Sequence, residues 1–123
     1  MDRLLGLVFT SIVCDADEDS IKFFQGDKLR FELKHEQDCC ENVYIESIVG
    51  DLKDLEDSPI LVSEESSSDG GYSQYGDTST WSFYKLATRK GYVDIRFYGE
   101  SNGYYSEEAS LVGYDENGAR SYL

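Results

Sequence analysis

The stretch KLRFELKHE, residues 28 to 36, alternates strictly. Leu29, Phe31, Leu33 and His35 fall on one side, and Arg30, Glu32, Lys34 and Glu36 on the other. A period of two sets one series against a core and the other toward water, as in a half-buried strand. The same pattern and its turn signals recur along the chain. SIKFF leads into KLRFELKHE through QGD at 25 to 27, and NVYIESIV is a further strand. TWSFYKLAT and GYVDIRFYGE read as a hairpin turning at Arg89-Lys90-Gly91. GLVFTSIV, residues 6 to 13, is expected as the first strand, ending at the acidic loop DADEDS. GDLKDLEDS predicts a turn or two of helix stopped before Pro59, because a residue preceding proline avoids the α region. SSSDGGYSQYGDTST, residues 66 to 80, reads as a flexible loop. Asn102-Gly103 is the preferred pair for a two-residue hairpin turn, after which YYSEEASLVGY returns as the last strand. ENGARSYL then frays. The expectation is one mainly β (α+β) domain over residues 1 to 123, an antiparallel sheet or barrel-like structure of seven or eight strands with one short helical segment.

Composition narrows the function classes. A length of 123 residues suits one core. No apolar run approaches the roughly 20 residues of a membrane span, and MDRLLGLVFTSIVC lacks a basic n-region. Three cysteines, two of them adjacent, make no disulfide framework and fit reduced, cytoplasmic surroundings. A formal net charge of −14 opposes direct binding to nucleic acid and favours attraction to a basic protein. Homo-oligomers remain compatible with all of this.

HEQDCCE, residues 35 to 41, invites a metal or thiol reading and supports neither. Adjacent Cys39 and Cys40 point to opposite sides of an extended chain, and Cys14 lies on another strand, so a tetrahedral zinc set is not expected. Asp38 and Glu41 would raise a thiol pKa rather than activate it. The structural reading puts His35 on the apolar face beside Leu33, bonded to backbone or Asp38, with one cysteine packed as a small hydrophobe. In DADEDS, Asp15, Asp17 and Asp19 mimic the first EF-hand positions. Ser20 then stands where glycine is required and Gly26 where glutamate is, so the segment is expected to be a solvated turn. Phosphate loops, dinucleotide fingerprints, nucleophile elbows and HExxH are absent from the sequence. No enzyme, catalytic residue, metal or cofactor is expected.

Charge is unevenly distributed. Residues 41 to 80 hold ten acids and one base, whereas residues 81 to 97 hold Lys85, Arg89, Lys90 and Arg96 against Asp94 alone. This basic island abuts YGESNGYYSE, rich in tyrosine. Arg96, Tyr98, Asn102, Tyr104, Tyr105, Trp81 and Lys85 are the candidate ligand residues, suited to stacking on a base and bonding ribose or phosphate. Pairing of the cations with nearby acids, and tyrosines packed across a hairpin, account for the same residues without a ligand. Glu56, Asp57, Glu64, Glu65 and Asp69 are the candidate protein-binding acids.

HEQDCCENVYIES, GDLKDLEDSPILVSEE and WSFYKLATRKGYVDIRFYGESNGYYSE resemble an uncharacterised family of small proteins of tailed phages and prophages, over nearly the whole chain. The resemblance assigns no catalytic residue. It implies a small accessory protein in the cytoplasm of a bacterial host, of a kind often directed against defence systems. Two modes follow as expectations. One sequesters a nucleotide-derived immune signal in an aromatic, amide- and cation-bearing pocket. The other is an acidic inhibitor occupying the nucleic-acid groove of a basic defence nuclease, as DNA-mimicking anti-CRISPR proteins do. The first uses the unusual residues as well as their charge and is preferred.

Overall fold

The computed structural model describes residues 2–36, 41–72, 77–102, 107–115 and 117–121, with only the backbone of Tyr72 and Ser121. Nine strands are described: β1 (Ser11–Asp15), β2 (Ser20–Gln25), β3 (Lys28–Lys34), β4 (Asn42–Val49), β5 (Val62–Tyr72), β6 (Thr78–Thr88), β7 (Gly91–Ser101), β8 (Ser110–Tyr114) and β9 (Arg120–Ser121). They form two sheets, ordered β1-β2-β3-β8-β9 and β4-β7-β6-β5, and every pairing is antiparallel. The sheets do not close into a barrel, which corrects that alternative. Among the described residues the helical component shrinks to two 3-10 turns, Asp2–Leu4 and Leu52–Leu55, and the class is mainly β.

One core joins the sheets. Ile21 and Phe23 of β2 and Phe31 and Leu33 of β3 contribute from one side; Tyr84 and Leu86 of β6 and Val93, Ile95 and Phe97 of β7 contribute from the other. The alternation in β7 is complete from Val93 to Ser101, with inward residues buried and Tyr92, Arg96 and Glu100 exposed. Gly26 opens the β2–β3 turn at φ 66°, the sign a two-residue hairpin turn needs at its first central position.

Several expectations change. Strand β1 begins at Ser11, not Gly6: Phe9 makes only an isolated bridge to Glu56, and its ring packs 5.3 Å from Phe23 as a core plug. Residues 66–72 and 78–80 are strand rather than loop, and 73–76 lie outside the described residues. Strand β7 is flanked by β4 and β6, so β8 does not return beside it but pairs with β3 across the other sheet. The Asn102-Gly103 turn extends outside the described residues. The C-terminal segment does not simply fray: Arg120 pairs with Tyr114, and the Asp115 carboxylate accepts from the amides of Asn117 and Ala119. DADEDS is a turn, but not merely a solvated one, because Asp19 accepts from the Ile45 amide.

Glu56, expected as an outward acid, supports the fold. Its Oε2 accepts from the Ile12 amide at 2.9 Å, and its carbonyl accepts from Lys90 Nζ at 2.6 Å. Glu56→Ala leaves the Ile12 amide without that carboxylate and should cost about 2 kcal/mol, the scale of a hydrogen bond to a charged group. Urea unfolding of the variant beside wild type measures this, and unchanged midpoints would assign the contact no structural weight.

Candidate ligand-binding face

The outward side of the β4-β7-β6-β5 sheet gathers residues far apart in sequence. Cross-strand register places Trp81 opposite Tyr98, Phe83 opposite Arg96, and Lys85 opposite Asp94; Tyr44 and Ser47 of β4 flank Tyr98 and Arg96. Rings of Tyr44, Tyr98 and Trp81 form a row, with centroids 5.8 Å apart for the first pair and 4.6 Å for the second. The Arg96 guanidinium lies 5.4 Å above the Trp81 ring, and Lys85 Nζ lies 5.3 Å from the Tyr92 ring. Both are cation–π contacts.

Beside this row runs a groove of about 440 Å³, crossing all four strands and including Phe83, Ser47, Glu64, Lys85, Asp94 and Arg96 in its lining. Arg96 is held at one point: Nε is 2.8 Å from Glu46 Oε2 and donates to Ser47 Oγ at 3.3 Å. Its terminal nitrogens have no protein acceptor among the described residues. A planar fork stacked on an indole and anchored by Nε retains donors for a carboxylate, a phosphate or a base edge.

Four of the seven candidate ligand residues therefore share this face: Trp81, Lys85, Arg96 and Tyr98. Asn102 does not join them. It lines a separate hollow at the end of β7 with Asn42, Asp77, Glu100 and Ser101. Tyr104 and Tyr105 lie outside the described residues. The basic island is also divided, because Lys90 reaches the Glu56 carbonyl near the β6–β7 turn. On the face itself the cations meet Glu46, Glu64 and Asp94, so the groove is not a positive trap. Of the acids, Glu64, Glu65 and Asp69 are exposed along β5, and Asp57 is exposed near the Leu52–Leu55 turn.

Sequence reasoning missed Phe83 and Glu46. Counting in twos along TWSFYKLAT would have placed Phe83 between Trp81 and Lys85. Glu46 carried no such signal, since a register shift between Ile45 and Ser47 places it beside Arg96.

His35 is anchored structurally. Its Nδ1 lies 2.8 Å from the Glu108 carbonyl oxygen, and Nε2 lies 3.2 Å from Glu41 Oε2, an ion-pair distance without hydrogen-bond alignment. Both side chains are buried. Cys39 and Cys40 lie outside the described residues, among which no group of three metal-ligating side chains occurs. Burial, then the carboxylates of Asp19 and Asp15, pushes the Cys14 thiol up, away from the reactive thiolate. No helix among the described residues is long and apolar enough to cross a membrane.

Fold and face together define a two-sheet antiparallel β protein with an aromatic, mixed-charge outer surface over one sheet. The chain belongs to the family described as a domain of unknown function, DUF7448, which matches residues 2–111. No curated protein and no solved structure matches it.

Proposed function

We propose that this protein captures a planar, nucleotide-derived small molecule on the outer sheet face and holds it without transforming it. The observation that carries this reading is Arg96, stacked on Trp81 and fixed at Nε by Glu46, with its terminal donors at the rim of a groove that includes Phe83. Stacking supplies affinity for any base, and the guanidinium fork selects an acceptor edge or an anion. The acids Glu46, Glu64 and Asp94 weigh against a dense cluster of phosphates, so the base and sugar carry most of the recognition. The resemblance to phage and prophage proteins gives the biological setting: sequestration of an immune signal in the bacterial cytoplasm, as a counter-defence protein. Inhibition of a defence nuclease by acidic mimicry is the second reading. It has the exposed Glu64, Glu65 and Asp69 in its favour, and target binding would then weaken steeply with salt.

Calorimetry and thermal shift with cyclic ADP-ribose isomers and cyclic oligonucleotides test the first reading. Arg96→Ala should weaken binding about ten- to a hundredfold, the value of one charge-assisted contact. Trp81→Ala should remove about 1 to 3 kcal/mol of stacking. Arg96 is exposed, so the unliganded Arg96→Ala variant should melt near wild type. Trp81 is half-buried against Tyr98, so Trp81→Ala should melt somewhat lower and is titrated at a temperature where it is folded. Absence of binding by every such ligand sinks the reading. Binding that survives both substitutions moves the ligand to another surface.

A further inference from the structure

Strand β5 is an edge: among the described residues it pairs with β6 on one side and with nothing on the other. It is 11 residues long, and residues 64–70 are all exposed. A long free edge presents unpaired backbone donors and acceptors to any extended chain. Acids lie on both of its faces, Glu64 opposite Lys85 and Glu65 opposite Tyr84.

Behind this edge, on the Tyr84 side, lies a second groove of about 290 Å³. It is lined by Glu65, Ser66, Ser67, Ser82, Tyr84, Glu108 and Ala109. Ser82 is 3% exposed, yet its Oγ has no hydrogen-bond partner. A buried hydroxyl left unpaired costs free energy that an incoming donor would recover. Tyr84 gives its own proton to the Ala109 carbonyl at 2.8 Å. Burial first, then the negative field of Glu65 and Glu108, pushes its hydroxyl pKa up, so both carboxylates act on this one spot. The groove therefore offers two acids and an unsatisfied acceptor, the complement of an ammonium or guanidinium group.

We infer that the free edge of β5 accepts an extended basic segment of a partner protein as an added strand, with one Lys or Arg side chain entering the groove between Glu65 and Glu108 toward Ser82 Oγ. The backbone ladder supplies affinity and the alternating side chains supply selection. A cation on one face meets Glu65 and Glu108, and a cation on the other meets Glu64. A second copy of this chain is the wrong occupant, since pairing two such edges would bring Glu64, Glu65 and Asp69 toward their own like charges. The formal charge of −14 steers a basic partner and repels a copy. The groove shares Glu65, Ser66 and Tyr84 with the lining of the outer-face groove, but Ser82 and Glu108 belong to it and not to the other, so their variants test it separately.

The test uses isotope-labelled full-length protein titrated with a capped peptide of alternating Lys and Thr, about as long as β5. Amide shifts should be confined to β5, Ser82, Tyr84 and the Glu108–Ala109 segment, and amide exchange in β5 should slow. Replacing Glu65 and Glu108 together with glutamine should weaken the peptide about tenfold or more, and Ser82→Ala should weaken it less. Circular dichroism melts check that these variants remain folded. A peptide N-methylated at every residue, with equal charge and no backbone donors, should lose binding. Equal binding by the N-methylated peptide would reduce the effect to charge and overturn strand addition. So would the absence of binding at millimolar peptide, shifts centred elsewhere, or dimerisation through β5 without peptide. Full affinity in the double glutamine variant would remove the cation pocket.

Discussion

Gly99→Ala is expected to destabilise the protein by about 3 kcal/mol, the upper range for overpacking a filled interior. Gly99 occupies an inward position of β7 and is buried. A β-carbon built there overlaps the carbonyl oxygen of Glu107 and lies 2.9 Å from Val43 Cγ2. The first obstacle is backbone, which cannot swing aside as the end of a long side chain can. The chain leading into β8 passes directly over β7 here, and only a residue without a side chain lets it approach so closely. Gly113 makes the contrasting control. Its added carbon would meet the end of the flexible Arg3 side chain, so Gly113→Ala should cost much less. Urea unfolding of the two variants gives the comparison. Equal losses, or a Gly99→Ala midpoint matching wild type, would mean that the crossing chain is held loosely.

That crossing explains which parts of the fold were legible in the sequence. Alternation in GYVDIRFYGES reported real burial, because that strand has one face on the core and one outside. In KLRFELK it held only for Phe31 and Leu33: Glu32, expected to face water, is buried, where it accepts from the Tyr114 hydroxyl and pairs with Lys34. Local turn chemistry was a poorer guide to strand partners. Asn-Gly at 102 to 103 suggests a return beside β7, but β8 pairs with β3, where Leu33 meets Leu111. That pairing depends on contacts distant in sequence, including the close approach at Gly99, and no short motif encodes it. The serines and glycines of 66 to 72 read as loop because an edge strand exposed on both faces needs no apolar side. Phe9 misled in the opposite direction: its burial comes from plugging the core between Phe23 and Phe31, not from a ladder. On the ligand face, period two was enough to unite Arg96, Tyr98, Trp81 and Lys85 once their hairpin was recognised. The irregularity at Glu46 was not legible, and it decides how Arg96 is held.

Glu107→Ala should also cost about 3 kcal/mol at neutral pH, through loss of a buried, fully bonded carboxylate network. Glu107 is 7% exposed and precedes β8, its own carbonyl making the crossing over Gly99. Its carboxylate accepts from three hydroxyls: Thr80 Oγ1 at 2.8 Å, Thr78 Oγ1 and Ser101 Oγ. Alanine would strand those donors in a poorly hydrated end of the core and release the segment from β6 and β7. Protonation probes the same network without a cavity. Burial works to raise the carboxyl, but the hydroxyl bonds outweigh it and hold the folded pKa below its ordinary 4.5. A carboxyl depressed by folding contributes stability that is present above its unfolded value and lost as pH falls through its folded value. Wild type should therefore lose stability below about pH 4.5 more steeply than Glu107→Gln, which keeps an acceptor oxygen and cannot titrate. The difference between the two acid-unfolding curves reports the Glu107 carboxylate together with its coupling to Asp69. Parallel curves would show that the three hydroxyl bonds do not favour the charged form. A glutamine variant as weak as alanine would show that the network needs the full charge at neutral pH and not merely an oxygen.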